Sequence, residues 1–388
     1  MPKALVDCDA FFASCEQAKN PSLKGKMVLV SGPAGSRSVV SSASYAAKKQ
    51  GVKAGMSPME AARLCPGAVF LPGDFDLYIT YNKAMESKLR SMGLDVEVSS
   101  IDEFYVDFVG SYAEAEKSLR LFGGWVEQDL GITVSIGIAP TRTLAKLASE
   151  IVKPRGLTVL TPDRLPDSIV HLGVERLLGI GKVTAQYLRS RGVPTLGSLL
   201  SAPDKVLSEF GYDRDTIRAV LGGVCDIVDD EADMPPKSVS SRMTLAFDTD
   251  EKEDISHHLR FLCDHVSWRL RRECMCAKVM TVTARYDDFS TSTRSRTLPY
   301  YVSYAQQMVE FALPLWDAHF KKGSRLRLIG LGLSGLIPAS AGVVETPILP
   351  GDRAWQDMSK TMDEIRNRYG SKKLFTGSYL MIDSKRRT

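Results

Sequence analysis

The chain opens on an apolar run that leads straight into charge. Ala4-Leu5-Val6 reads as a buried strand, and it ends in Asp7-Cys8-Asp9. A carboxylate at the end of a buried strand is costly unless a partner offsets it. Asp102-Glu103 repeats the anomaly beside the turn between two strand-like runs, 94–100 and 103–109. If these strands lie side by side, three carboxylates come together. Like charges at close range repel, and a hard divalent cation such as Mg²⁺ relieves the repulsion with oxygen ligands. A pair of such ions suits phosphoryl transfer. The plainer alternative is a turn capped by Asp7 and Asp9, with Asp102-Glu103 at a solvated hairpin tip. Spacing alone leaves that alternative open.

The surrounding pattern narrows the fold. Helical stretches are expected near 43–50, 57–64, 76–92 and 112–129, and Ile132–Ile138 alternates cleanly as a strand. A helix over 142–152 ends before Lys153-Pro154, because proline disfavours helix in the residue before it. The order strand, insertion, helix, strand, strand, helix, strand is a split βαβ pattern, an antiparallel sheet backed by helices. Residues 174–221 read as helical, including Val174-Glu175-Arg176. Asp226 to Pro236 is acidic and then proline-rich, which reads as a linker. From 238 to about 338 strands and helices resume, and a tail carries one helix, 353–369. The fold class expected is α+β and multidomain.

Composition excludes little. The 388 residues are 44% hydrophobic and 25% charged, with net charge +4, an ordinary globular mix with a mild lean toward polyanions. Seven scattered cysteines suggest no disulfide framework and fit a reducing cytosol. Cys274-Met275-Cys276 is expected to bury both thiols in a strand or helix end. No run reaches the length of a membrane span and no signal peptide is seen before the first strand, so a cytoplasmic protein is expected.

Four motifs in sequence order carry a resemblance. Asp7-Cys8-Asp9-Ala10-Phe11-Phe12-Ala13-Ser14-Cys15-Glu16 resembles the opening motif of the Y-family DNA polymerases, and Ser100-Ile101-Asp102-Glu103-Phe104-Tyr105-Val106-Asp107 their second carboxylate motif. Ser42-Ala43-Ser44-Tyr45-Ala46-Ala47-Lys48 with Gly51–Met56 is similar to their fingers segment. Ser135-Ile136-Gly137-Ile138, Ala145–Ser149 and Lys153-Pro154-Arg155-Gly156 are similar to their last palm motif. The resemblance covers about residues 3 to 340, is nearest to the bacterial polymerase IV branch, and thins beyond 240.

The resemblance implies a ferredoxin-like palm (1–10 and 76–164) with inserted fingers (11–75) and a helix-hairpin-helix thumb (165–230). A linker (231–237), an α+β little finger (238–341) and a tail (342–388) would follow. It implies error-prone, template-directed DNA synthesis with two Mg²⁺, Mn²⁺ being a substitute. Asp7, Asp102 and Glu103 would be the ligands, with the Cys8 carbonyl, and Glu103 would sit nearest the attacking 3′-hydroxyl. Tyr45, Lys48 and Lys153, helped by Ser42, would hold the triphosphate. Phe12 would lie beneath the sugar and exclude a 2′-hydroxyl. Val39, Gly55 and Met56 would line a loose pocket for the nascent base pair. Two departures stand out: Ala46-Ala47-Lys48 where the family often has Glu-Ala-Arg, and Arg155 where an asparagine is more usual. Lysine keeps the charge but loses the bidentate fork.

Primer–template DNA and a deoxynucleoside triphosphate are the expected partners, with no membrane and a monomeric chain. Gly179-Ile180-Gly181-Lys182 would bind a DNA phosphate through backbone N–H groups. Arg242, Arg285, Arg294, Arg296, Arg325 and Arg327 sit on strand-like alternations that would meet DNA phosphates. Arg294 and Arg296 share a face, as do Arg325 and Arg327, because the strand period is two. Sliding-clamp binding stays open, since Glu345-Thr346-Pro347-Ile348-Leu349-Pro350 lacks the glutamine and aromatic of the family's peptide. Two rival readings are a nucleotide cyclase, which would lack the hairpin and basic β-domain, and a catalytically silent DNA-binding scaffold.

Overall fold

A computed structural model describes residues 1–209, 211, 213–227, 235–320, 323–340, 352–370, 373–378 and 382. The 345–350 peptide and most of the 231–237 linker lie outside the described residues. The chain divides into two compact units, Met1–Ala232 and Asp233–Thr388.

The first unit is built on the strand that opens the sequence. β1 (Lys3–Cys8) is followed by α1 (Phe11–Lys19), a helix for which the sequence pattern gives no clear sign. A small three-stranded sheet comes next: β2 (Val28–Val30), β3 (Ser42–Ala43) and β4 (Val69–Leu71), with α2 (Tyr45–Lys48) and α3 (Pro58–Leu64). These strands are too short to show a period of two. The expected helix at 43–50 shrinks to α2 because Ser42 and Ala43 pair with Val30 and Leu29. Then follow α4 (Phe75–Ser91), β5 (Asp95–Val98), β6 (Glu103–Asp107), α5 (Tyr112–Trp125), β7 (Val134–Ala139), α6 (Arg142–Ile151) and β8 (Leu157–Val159). The sheet order is β5-β6-β1-β7-β8, with β1 antiparallel to both neighbours and β8 parallel to β7. That is the split βαβ arrangement with one added edge strand.

Glycine decides how closely α6 lies on this sheet. A Cβ at Gly137 would meet Ala145 O at 2.0 Å and Ser149 N at 2.4 Å. No side chain fits there, so the helix backbone settles onto β7. Asp226 then caps α6 from a distant segment: its carboxylate accepts from the N–H groups of Arg142 (2.6 Å) and Thr143 (2.9 Å). Free N–H groups and the positive helix end attract such a carboxylate. The expected linker therefore starts later than Asp226, which belongs to this unit.

The helical segment contains α7 (Lys182–Ser190), α8 (Leu196–Leu200), α9 (Asp204–Ser208) and α10 (Arg214–Leu221). Val174–Arg176 forms a single 3₁₀ turn where a helix was expected, since the stretch between Gly173 and Gly179 is too short for a stable helix. These helices share one core with Leu5, Tyr105 and the apolar face of α6.

The second unit is a four-stranded antiparallel sheet: β9 (Ser238–Thr249), β10 (Met275–Tyr286), β11 (Thr291–Val302) and β12 (Leu326–Pro338), in the order β11-β10-β12-β9. α11 (Lys252–Arg272) and α12 (Ala305–His319) cover one face. α11 aims Ile255, Leu259, Leu262, Val266 and Leu270 inward at the spacing of one helical face. α13 (Asp352–Tyr369) is tied to α11 by two ion pairs, Arg366–Asp264 at 2.6 Å and Arg271–Asp363 at 2.7 Å. Cys276 is buried, but Cys274 is exposed, because it ends α11 with a left-handed backbone (φ 52°). The expected pair of buried thiols is thus one.

Gly137→Ala tests the close approach of α6. It should destabilise the first unit by about 1–3 kcal/mol or more, the usual cost of overpacking. Chemical denaturation of the full chain would measure it, and an unchanged midpoint would mean that α6 does not need the glycine.

Candidate active site

The pairing register brings the acidic residues to one edge of the large sheet. Asp7 lies directly opposite Glu103 on adjacent antiparallel strands. Such partners have Cβ atoms about 4.5–5.5 Å apart. Cys8 N–H donates to the Asp102 carbonyl at 2.9 Å, fixing Asp102 at the turn beside them. Ser100 donates to the Asp102 carboxylate at 2.7 Å. Asp7 is buried, and Asp102 and Glu103 are partly buried.

Two lysines answer this charge. Lys146, carried by α6, sets its ammonium 2.9 Å from Asp7 and 2.5 Å from Glu103. Lys153 lies 2.7 Å from the other Asp7 oxygen and 2.8 Å from Glu150. Burial alone would lower both lysines, but the carboxylates more than reverse it and hold each above the ordinary lysine value. Burial pushes the Glu103 carboxyl up, against the pull of Lys146. The Cys8 thiol is held far up by burial and then by Asp102 and Asp7. Lys146 lies inside the last palm motif, but sequence alone gave it no role. Its signal was available: at the spacing of α6 it stands one turn before Glu150, beside the Ala145–Ala148–Ser149 face that packs at Gly137.

The donor set is all oxygen, which suits a hard divalent cation. Among the described residues no three His, Cys, Asp or Glu side chains are grouped so as to hold a metal ion. Asp7, Asp102 and Glu103 are neighbours, but the Asp7 oxygens are engaged by the lysine ammonium groups. A cation entering here competes with Lys146 and Lys153 for the same oxygens.

Asp9 belongs to a different network. It is 1% exposed, and its carboxylate accepts from Tyr45, Thr133, Ser135 and the backbone N–H of Arg155. The turn-capping alternative for Asp7 and Asp9 does not describe either residue. Arg155 holds φ 62°, a conformation asparagine tolerates better than arginine, which is why arginine is the unexpected residue there.

Phe12 packs in an aromatic group. Its ring stacks on Tyr78 at 4.4 Å and meets Phe75 edge-on at 5.6 Å, and Phe11 lies 5.7 Å away. The hydroxyl of Tyr78 donates to Glu16 at 2.8 Å, which fixes the stack. Phe12 stays partly exposed.

Across from it, Lys48 lies over the Tyr45 ring at 4.7 Å. Partial desolvation, then the nearby Lys153, keep Lys48 below its ordinary value. Burial and the Asp9 carboxylate push the Tyr45 phenol up, so it remains a hydrogen-bond donor. Ser42 is buried and its oxygen faces the Ala13 N–H at 3.4 Å. Val39 is half exposed, and Val40 N–H donates to Met56 O while Gly55 N–H donates to Val40 O, which ties Val39, Gly55 and Met56 into one loop pair.

Gly181 precedes α7 as its N-cap, with no side-chain cap, and Lys182 is the first residue of that helix. Gly179 takes a left-handed backbone at φ 90°. A Cβ at Gly181 would meet nothing within 4 Å, so the protein itself does not require a glycine there.

The arginines of the second unit split between faces. Arg294 pairs with Val282 and Arg296 with Met280, both buried under the helices, so these two arginines lie on the helix-side face at the edge strand. Arg296 accordingly sits over the Phe311 ring of α12 at 5.6 Å. Arg242 pairs with Gly330, which pairs with Thr283, on the uncovered face, and Arg285 follows Thr283 by two positions. The arginines of β11 and those of β9 and β10 thus lie on opposite faces of the sheet. Period two rightly puts Arg294 with Arg296 but does not tell which face is covered. Arg325 donates to the Asp248 carbonyl at 3.0 Å, and Arg327 lies over the Phe289 ring at 4.5 Å.

No helix among the described residues is long and apolar enough to cross a membrane. Residues 6–150 match the impB/mucB/samB family model, and residues 236–345 match the C-terminal domain model of that family. The chain is 33% identical to DNA polymerase IV of Moorella thermoacetica, over 95% of this chain and 93% of that one. It is 32% identical to DNA polymerase IV 1 of Bacillus subtilis, over 97% and 92%. Among solved structures it resembles a Y-family DNA polymerase chimera of Dbh and Dpo4, with TM-score 0.75 and 25% identity, covering 87% of this chain and 100% of that one. It also resembles DinB from Sulfolobus solfataricus, with TM-score 0.54 and 26% identity, over 87% and 100%. The chain belongs to the impB/mucB/samB family, the Y-family DNA polymerases.

Proposed function

We propose that this protein is an error-tolerant, translesion DNA polymerase that adds deoxynucleotides to a primer 3′ end under the direction of a template. The observation that carries the reading is Asp7 opposite Glu103 with Asp102 at the adjoining turn, on a sheet of this family's topology. Relatives named DNA polymerase IV across bacteria, and a neighbour titled as an insertion ternary complex of Dbh DNA polymerase, support it. Membership of the family carries a general dependence on divalent metal ions; Mg²⁺, two per site, is the proposal here.

In this reading β1 and the 76–164 elements are the palm, 11–75 the fingers, 165–230 the thumb, and 238–341 the little finger. Asp7, Asp102, Glu103 and the Cys8 carbonyl would hold the metal ions. When bound, such ions activate the attacking oxygen and neutralise the phosphates. The chain's own groups do the rest. Lys146 and Lys153 neutralise the carboxylates while no other cation is there. Lys153, released from Asp7, would turn to the triphosphate together with Lys48 and Tyr45. Ser42, engaged with α1, would act indirectly by fixing the start of the helix that carries Phe12. Phe12, held by Tyr78 and Phe75, would press its exposed side against the sugar. Val39, Gly55 and Met56 would border the nascent pair, and small groups there discriminate pair shape weakly.

For DNA, Gly181 leaves the first N–H groups of α7 bare, which suits a phosphate approaching along the helix axis. The uncovered face of the second sheet offers Arg242 and Arg285 among serine, threonine and glycine, which suits backbone contacts without sequence readout.

Asp7→Ala, Asp102→Ala or Glu103→Ala should each abolish primer extension while primer–template affinity stays within about threefold, since different elements would hold the DNA. Near-normal turnover by any one of them at saturating Mg²⁺ would remove that residue from the site.

Phe12→Ala should raise ribonucleotide relative to deoxynucleotide insertion at least about tenfold, equivalent to about 1.4 kcal/mol. Loss of the stack on Tyr78 lowers stability as well, but a stability loss affects both sugars alike. Single-nucleotide insertion with each sugar therefore isolates the gate, and an unchanged ratio would reduce Phe12 to packing.

The arginine faces predict unequal salt effects. Arg242→Ala with Arg285→Ala should flatten the slope of log K against log salt by about 0.9 for every duplex phosphate that the variant leaves unneutralised. Arg294→Ala with Arg296→Ala should flatten it less. Equal slopes for the two double variants would contradict the assignment of faces.

A further inference from the structure

We infer that Asp9 is a positioning residue that fixes the palm half of the triphosphate-binding site, tying the turn behind Lys153 to the start of β7, and that holds the Tyr45 hydroxyl of the fingers until nucleotide takes its proton, an inference that rests on the polymerase reading above. Its carboxylate stands apart from the oxygens that Lys146 and Lys153 engage, and it gathers three separate stretches of chain. Tyr45 donates its hydroxyl to Oδ1 at 3.2 Å from the fingers side. Ser135 donates to Oδ1 and Thr133 to Oδ2, both at 2.8 Å, from the start of β7. Arg155 N–H donates to Oδ2 at 2.9 Å from the turn that follows Lys153. The main chain of Asp9 joins the same network: its N–H donates to Thr133 O at 2.9 Å, and its carbonyl accepts from Ser14 at 2.5 Å.

The chemistry favours a carboxylate here. An ionised carboxylate is an acceptor only, with about four lone-pair sites, and four neutral donors occupy them. A buried carboxylate would be expensive without them. Asparagine offers one acceptor oxygen and turns an N–H₂ toward the other donors. With that oxygen toward the Arg155 N–H and Thr133, the N–H₂ faces Tyr45 and Ser135, whose hydroxyls must turn to accept, so those two links reverse and all four lose the charge of the acceptor.

The sign of the effect follows from which bonds compete with nucleotide. A tyrosine hydroxyl has one proton, so Tyr45 donates either to Asp9 or to a phosphate. That bond, at 3.2 Å, is the longest of the four. The three shorter ones, from Thr133, Ser135 and Arg155, involve no proposed nucleotide ligand, so nucleotide does not compete for them. Removing the carboxylate therefore loosens the site more than it frees Tyr45.

The test is steady-state single-nucleotide insertion by the full chain carrying Asp9→Asn, with primer–template affinity and a melting curve measured alongside. The expected result is a KM for deoxynucleotide raised about tenfold, the scale of one well-placed hydrogen bond to a charged group. The fall in kcat should be much smaller, and primer–template affinity should stay within about twofold. A lowered melting temperature with unchanged KM would show a merely structural carboxylate and overturn the inference. So would a loss confined to kcat. If Asp9→Asn does not fold, Thr133→Val removes one donor from outside the nucleotide-binding groups. It should at least double KM, and an unchanged KM would again overturn the inference. Failure of the wild-type chain to insert any nucleotide would overturn the polymerase reading and this inference with it. Wild-type insertion with an unaltered Asp9→Asn variant sinks the inference alone.

Discussion

The ion pairs of Asp7 with Lys146 and Lys153 are the interaction on which the first unit turns. β1 is paired on both sides and buried, so a charge at its end has no water to rely on. The cost of a buried, unpaired carboxylate runs to several kcal/mol. Each ammonium offsets that cost, and each arrives because of a separate structural commitment. Lys146 depends on α6 lying against β7, which depends on Gly137. Lys153 depends on the turn that ends α6, and Asp9 holds that turn through Arg155. The site is thus a set of mutually dependent placements, with the glycine and the buried carboxylate as its fixed points.

In the polymerase reading proposed above, divalent cations would replace the ammonium groups at these carboxylates. Positive charge would then be present in either case, supplied by flexible lysines in one and by metal ions in the other. Lysine suits this exchange better than arginine would. Its ammonium is a compact charge on a long, flexible stem, whereas a guanidinium forks rigidly onto its partner. A bound triphosphate would supply negative charge for the displaced ammonium groups, so the exchange would leave no lysine stranded.

Much of this was legible in the sequence, and the reasons are local. Asp7, Asp102 and Glu103 stood out as carboxylates at the ends of strand-like runs, but spacing alone left open whether they come together, and the family motifs decided for it. Phe12 could be named only through the family motif, because a phenylalanine pair by itself looks like core. The role of Asp9 was hidden, since its partners Tyr45, Thr133, Ser135 and Arg155 are distant in sequence. Lys146 could have been found from its place on α6, one turn before Glu150 and beside the face that meets Ser-Ile-Gly-Ile. The face of Arg294 and Arg296 was not legible: alternation groups residues into two sets, and only the pairing with Met280 and Val282 tells which set the helices cover. The short strands of the small sheet carried no periodic signal, and the Asp226 cap on α6 spans more than eighty residues of sequence.

The most direct measurement is insertion of each deoxynucleotide by the wild-type chain opposite each of the four template bases, with Mg²⁺ and again with excess chelator. The account predicts that the complementary nucleotide is favoured opposite every template base and that chelator stops insertion. Absence of insertion with Mg²⁺, insertion indifferent to the template base, or insertion that survives complete chelation would contradict it.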